Sequence, residues 1–356
     1  MSTAETVTPS LRKPFFFAGV LLASFCVLVL QIVQTRILSV MAWYYLAFFA
    51  ISVAMLGMTA GAVWLYLRPA PSRALSQRLT RFTLAAAWSI PASMVVQFCL
   101  VTTLVLSATT IAAWALLLAA MAVPYFFTGV VISLALTRSP FAVSQIYGAD
   151  LVGAALGCVA VVALLGVLDA PSVVLLTGAI AALAALCFAA SADSATSLRA
   201  PLVSLVALVA LTVLNAATPY GLKPLLVKDQ LSDASRYRFE RWNSYSRIAA
   251  TPPSTVRPYL WGPSPHLPPD FVTQQAFLNI DGEAGTVMHH YDGTDKSIRF
   301  LRFDLVNLAY NLPGIQKSAV IGVGGGRDLL SAHLYGVRDL TGIELNPIFI
   351  GLHTTE

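Results

Sequence analysis

The sequence predicts a multi-span α-helical membrane domain, then a small β region, then the opening of an alternating β/α sheet that stops short. Three observations carry this. The 356 residues are 57% hydrophobic and 11% charged, against about 25% charged in an ordinary soluble domain. The charge is segregated: residues 218–356 hold 26 of the 39 charged side chains and residues 82–198 hold four, so a lipid-facing half precedes a water-facing half. Finally, the run Ser318-Ala-Val-Ile-Gly-Val-Gly-Gly-Gly-Arg-Asp-Leu-Leu330 leads a β-branched stretch into a glycine-rich turn, and Gly342-Ile-Glu-Leu-Asn-Pro347 ends a second apolar stretch on an acidic residue.

A bilayer core takes about 20 apolar residues per helix. Seven runs come near that length: 15–35, 42–67, 82–106, 109–137, 149–168, 171–190 and 201–217. The first continues through residue 33 without a small-residue cleavage site, so it is expected to remain as a span. Gln31 and Gln34 near its end, and Asp150 at the start of the fifth run, are costly in lipid and are expected to face protein or water. Gly57 and Gly61, and Ala149, Gly153 and Gly157, recur every four residues, which lets helix backbones approach closely. Pro124 is expected to kink the long fourth run. Cys26, Cys99, Cys158 and Cys187 all lie in apolar runs without metal-ligand spacing, so they read as small buried hydrophobes.

The water-facing half begins with Arg241-Trp-Asn-Ser-Tyr-Ser-Arg-Ile248, expected as a strand. Seven prolines between residues 252 and 269 argue against regular structure there. Ala276-Phe-Leu-Asn-Ile-Asp-Gly282 reads as a strand entering a turn, and Thr286-Val-Met-His-His-Tyr291 as another. Ile298, Leu301, Leu305 and Leu308 recur at helical spacing, predicting a helix over 297–311. The expected divisions are 1–217, 218–296 and 297–356.

Gly322, Gly324, Gly325 and Gly326 let the backbone approach a ligand, and the helix start behind them favours negative charge. Glu344 falls 18 residues after Gly326, near where a carboxylate meets ribose hydroxyls in nucleoside sites. A glycine pattern alone is weak. Here a strand precedes it, a helix follows, and an acidic strand end comes next.

These segments resemble the class I S-adenosylmethionine-dependent methyltransferase fold, a Rossmann-like α/β fold, and within it the spermidine synthase (polyamine aminopropyltransferase) family. The chain is similar to bacterial proteins that join a transporter-like membrane region to such a synthase. The resemblance rests on Trp242-Asn-Ser-Tyr-Ser-Arg-Ile248, Leu278-Asn-Ile-Asp-Gly282, Val320-Ile-Gly-Val-Gly-Gly-Gly-Arg-Asp328, Gly342-Ile-Glu-Leu-Asn-Pro347 and, in the membrane half, Tyr147-Gly-Ala-Asp-Leu-Val-Gly-Ala-Ala-Leu-Gly157. It implies that S-adenosylmethionine or its decarboxylated form is the co-substrate, bordered by Gly322, Gly324, Gly325 and Gly326, with Glu344 on the ribose. Asp328 would line the same pocket or solvate its own helix start. Tyr245, Asp281 and Asp304 would face an amine or polyamine, although Asp281 also suits an ordinary turn. The chain departs from the family at Ser246 and Gly285, where glutamines are usual, and at Arg302-Phe-Asp304, where a Tyr-His-Glu helix start is usual. The family's proton-accepting aspartate comes from a later strand. The chain stops at Glu356, so no catalytic residue is assigned, the cofactor domain is expected to be incomplete, and this chain is expected to show no turnover.

Arg12, Lys13, Arg68, Arg73, Arg78, Arg81, Arg138 and Arg199 mark one set of loops as cytoplasmic. Seven spans would then leave residues 218–356 outside. Lys223, Lys228, Arg236 and Arg238, together with a nucleoside ligand, argue for inside. A break at Pro124 giving an eighth passage, or a seventh run that does not cross, would reconcile them. The expectation is a multi-pass protein of the cell (inner) membrane with a cytoplasmic C-terminal domain.

The formal charge of +5 suits oriented loops better than a nucleic-acid footprint, because no basic stripe interleaves with aromatics. The expected partners are lipid, a small amine and, as an open option, a second copy of the chain. His289 and His290 would point to opposite faces of a strand and cannot share a metal; no metal site is expected. Neither a Gly-x-Ser-x-Gly elbow nor a P-loop occurs. The alternatives kept open are a non-catalytic transporter-like or sensor protein with a nucleoside-binding domain, and a dinucleotide oxidoreductase.

Overall fold

The computed structural model describes residues 11–68, 75–100, 105, 107–192, 197–218, 220–228, 230–232 and 234–354. Seven long helices come first: α1 (Lys13–Met41), α2 (Ala47–Tyr66), α3 (Leu75–Cys99), α4 (Ala108–Arg138), α5 (Val143–Val167), α6 (Ala170–Ala190) and α7 (Arg199–Ala217). Among the described residues all seven are long and apolar enough to cross a membrane, so the chain is a membrane protein. Their starts follow local chemistry. Ser107 accepts from the Thr110 N–H at 3.1 Å to cap α4, and Asp169 accepts from the Ser172 N–H at 2.7 Å to cap α6.

Several boundaries differ from the sequence reading. α1 continues through Arg36 to Met41, and α3 begins at Leu75, so Arg78 and Arg81 lie on a helix and not in a loop. Arginine is a good helix former, and its long stem carries the charge away from hydrocarbon. Arg73 lies outside the described residues. α4 runs unbroken through Pro124 as 31 residues, so it supplies no additional passage. Of the four cysteines only Cys26 is fully buried; Cys99 and Cys158 are exposed on outer helix faces, where apolar thiols suit lipid as well as core.

The small residues act where the spacing places them. A methyl on Gly57 would meet the Ala122 carbonyl of α4 at 2.6 Å, and one on Gly157 the Phe25 carbonyl of α1 at 2.7 Å. Gly61 and Gly153 are tighter still, against Phe126 and Leu21. These contacts join α2 to α4 and α1 to α5. Asp150 accepts a hydrogen bond from the Ser24 hydroxyl of α1, so it faces protein as expected.

The chain divides into two compact units: Met1–Ser232 with Trp242–Ser244, and Asp233–Arg241 with Tyr245–Glu356. Residues 218–232 therefore group with the helices, where β1 (Leu226–Val227) and β2 (Gln230–Leu231) form a small hairpin.

β3 (Phe239–Trp242), β4 (Arg247–Ala250), β5 (Ser254–Val256), β6 (Thr273–Ile280) and β7 (Ala284–His289) form one sheet, which belongs to the second unit apart from Trp242. β6 is central: β4 and β5 share one of its edges and β7 follows the other. The single strand expected over 241–248 is thus two, and the proline-rich segment still contributes β5 between Pro253 and Pro258. The helix expected over 297–311 is also interrupted. One α-turn, α8 (Asp295–Ile298), gives way to 3-10 turns at Arg299–Phe303 and Leu305–Asn311, separated at Asp304 with φ −99° and ψ 125°. The last elements are β8 (Lys317–Ile321), α9 (Arg327–Leu334), β9 (Asp339–Ile343) and α10 (Pro347–Thr354). β8 and β9 pair in parallel, with Ile321 opposite Ile343. Both strands are largely uncovered; Ile321 is 82% exposed.

Candidate functional site

β8 leads directly into the glycine bend. Gly322, Gly324 and Gly326 have φ of 76°, 51° and 80°, a left-handed region that side chains resist. Gly325 has a steric reason of its own: a side chain there would strike the Val287 carbonyl of β7. The Gly322 N–H donates to the Ile343 carbonyl at 2.8 Å, tying the bend to the end of β9.

Glu344, one residue past β9, sits on this bend. Its Oε2 accepts from the Gly324 N–H at 3.0 Å and its Oε1 from the Asn346 N–H at 2.9 Å. Each carboxylate oxygen keeps a second lone pair. Nothing lies within 4 Å of where a Cβ on Gly322 would project, so the backbone there is open to approach. On the other side His353 Nε2 lies 2.7 Å from the Gly324 carbonyl, and its ring fills the space beside Gly326.

Asp328, the second residue of α9, is bridged by Arg327, with Nε and Nη2 of the guanidinium at 2.9 and 2.8 Å from its Oδ1. The other reach of Arg327 is toward Asp304, at 3.7 Å. Asp304 is buried, and its oxygens accept from the N–H groups of Trp261 (3.3 Å), Gly262 (3.1 Å) and Val306 (3.4 Å). It pins the proline-rich segment to the 3-10 turns, and it borders a cleft of about 490 Å³ shared with Arg302 and Tyr335. Asp281 accepts from the Arg247 N–H at 2.7 Å while in a left-handed turn at φ 51°. Tyr245 is 52% exposed. The bend and Glu344 thus come together; Asp328 is joined through Arg327 to Asp304, and Asp281 and Asp304 hold backbone at other places.

Two of the three departures from the resembled family have local packing reasons. Ser246 is buried and accepts from Asn346 Nδ2 at 2.7 Å. Gly285 lies under the far edge of the Phe277 ring, which a side chain there would have to displace. Asn346 was missed as a site residue, although its position just before Pro347 carries the signal: its Oδ1 accepts from the Ile348 N–H at 3.1 Å and caps α10.

His289 is 4% exposed and stacks edge-on to Phe300 at 4.9 Å. Burial lowers its pKa from 6.5 to about 4; Arg327 acts in the same direction and Asp304 opposes both. Between those values the unfolded chain binds the additional proton. Stability from this group is therefore complete above pH 6.5 and is lost as pH falls toward 4, by about 3 kcal/mol. Hydrogen exchange in β7 will accelerate from pH 7 to pH 5 after correction for intrinsic rates, and His289→Phe will abolish that excess. An equal excess in the variant would assign it to another group.

Among the described residues no cluster of His, Cys, Asp or Glu could hold a metal ion. Compared with known proteins, the chain matches no protein family, no curated protein and no solved structure.

Proposed function

We propose that residues 297–356 begin a Rossmann-like, methyltransferase-type fold. In this reading the chain is a membrane-bound, spermidine synthase-like transferase that takes S-adenosylmethionine or its decarboxylated form. The observation that carries it is the Glu344 carboxylate bonded to the glycine bend at adjoining parallel strand ends, with lone pairs left for a diol. Glu344 would accept from the ribose hydroxyls, and the open backbone at Gly322 would border the adenosyl group. In the transfer, an amine nitrogen attacks the carbon beside the sulfonium, the C–S bond breaks to leave a thioether, and the amine gives up a proton. The protein supplies positioning and charge.

A second reading, a nucleoside sensor without transfer, is favoured by Asp281 and Asp304, whose oxygens are engaged by backbone donors rather than facing an amine. Incubating the purified full-length natural protein with labelled decarboxylated S-adenosylmethionine and a polyamine panel separates them. Label on an amine supports the transferase; binding without transfer supports the sensor; no binding of either adenosyl compound at millimolar concentration sinks both. Glu344→Ala will weaken binding at least about tenfold, or roughly 1.4 kcal/mol, by calorimetry. Unchanged affinity would remove Glu344 from the site.

The transferase reading locates the protein in the cell (inner) membrane with the second unit in the cytoplasm, where adenosyl compounds are made. The helix count opposes it. Seven crossings put Lys13 and Ala217 on opposite sides, and Arg78, Arg81, Arg138 and Arg199 lie at the Lys13 end of the bundle. A single cysteine at Pro263, in a chain with its natural cysteines replaced, will react with an impermeant maleimide only after permeabilisation if the unit is cytoplasmic. Labelling of intact cells would favour the sensor.

A further inference from the structure

Most polar side chains within the helical unit are satisfied by the protein. Thr83, Thr128, Thr177 and Thr212 each donate to the carbonyl four residues back. Asn215 donates to Ser172 and accepts from the Leu222 N–H. Besides Arg36, five residues differ, and one of them, Ser139, lies apart at the C-terminal end of α4. Gln34 Oε1, Ser93 Oγ, both amide atoms of Gln97 and the Tyr125 hydroxyl are buried without a hydrogen-bond partner among the described residues. None of the four side chains is more than 5% exposed.

They occupy one region. Leu30, Ile37 and Met41 share the face of α1 that carries Gln34, and Ile90 and Met94 flank Ser93 and Gln97 on α3. All five belong to the same apolar cluster as Tyr125. Depth agrees too. The Lys228 N–H bonds the Met41 carbonyl and the Leu225 N–H bonds the Phe98 carbonyl, so α1 and α3 end at one level. At 1.5 Å per residue, Gln97 lies roughly 2 Å below that level, Ser93 roughly 8 Å and Gln34 roughly 10 Å. Tyr125 packs beside Gly57, ten residues into α2, at roughly 15 Å. All four thus fall in the half of the bundle that ends at Met41 and Phe98.

Unpaired amides and hydroxyls at this depth are too costly to stay dry in a native bundle. These four side chains offer donors and acceptors together and carry no charge themselves. Arg36 lies about 200° around α1 from Gln34, and Asp150 is engaged by Ser24 toward the opposite end. A charged ligand would lack a counter-charge here. We propose that Gln34, Ser93, Gln97 and Tyr125 form a binding site for a small uncharged solute bearing both a hydrogen-bond donor and an acceptor, such as a primary amide, entering from the end marked by Met41 and Phe98. The site is independent of the glycine bend.

The test uses the full chain in detergent with its four natural cysteines changed to alanine, acetamide as the probe and a water-soluble methanethiosulfonate as the reagent. Ser93→Cys and, separately, Gln97→Cys will react at least about tenfold faster than Ala182→Cys in the fully buried apolar core. Acetamide will slow the reaction at least about threefold, whereas equimolar acetate or tetramethylammonium will not. Adding Gln34→Leu will remove the protection. A rate matching Ala182→Cys would show a dry core and overturn the proposal. Fast reaction indifferent to acetamide would show water alone and overturn it as well. If neither cysteine variant folds, the unsubstituted chain decides: acetamide must raise its thermal midpoint above that in acetate, and equal midpoints reject the site.

Discussion

Asp304→Ala will destabilise the second unit by about 3–5 kcal/mol, the cost of removing one partner from a buried, hydrogen-bonded charge. Three backbone N–H groups from two separate segments converge on this carboxylate, and Arg327 stands behind it. Without it the proline-rich segment loses its tie at Trp261 and Gly262, and the Arg327 guanidinium is left beside Asp328 alone. Hydrogen–deuterium exchange will show the loss first in residues 260–267 and 304–311. Asp304→Asn keeps one acceptor oxygen and will cost less than the alanine change. If both variants exchange like the parent, Asp304 is not the latch, and its earlier assignment to an amine substrate regains weight.

Gly153→Val is the second large effect, of order 3 kcal/mol in the helical unit. The added carbon would meet the Leu21 carbonyl, which is backbone and cannot swing aside. α1 and α5 must then separate, and the Ser24–Asp150 bond one turn away is lost with them. Gly148→Val, on the same helix with nothing within 4 Å, is the matched control and will be near neutral. Unfolding in a graded denaturing detergent reads both. Equal midpoints for the two variants would mean that α1 and α5 are not held by close backbone packing.

Legibility followed the range of the interactions involved. The seven helices were visible because hydrocarbon demands a long apolar run and nothing subtler. The glycine spacings on α2 and α5 were readable for the same reason, since a bare backbone face has one main use in lipid. Helix ends were less so: Arg36, Arg78 and Arg81 look like boundaries on a hydropathy scale, yet their stems let a helix continue past the apolar core. In the second unit the regular helix read over 297–311 failed at one residue. Asp304 leaves helical geometry to collect N–H donors from a segment some 40 positions earlier, which no local periodicity encodes.

The amino-acid order alone determined the apolar half, the charged half, and the strand, glycine turn and acidic strand end from Ser318 to Pro347, because each rests on solvation or on backbone freedom within a few residues. Tertiary structure decided the employment of the polar groups. It placed Glu344 on Gly324, committed Asp281 and Asp304 to backbone donors, buried His289, and left polar atoms of Gln34, Ser93, Gln97 and Tyr125 without partners among the described residues. A side chain's hydrogen-bonding capacity is written in its type, but whether that capacity is spent depends on groups that only folding brings within about 3 Å.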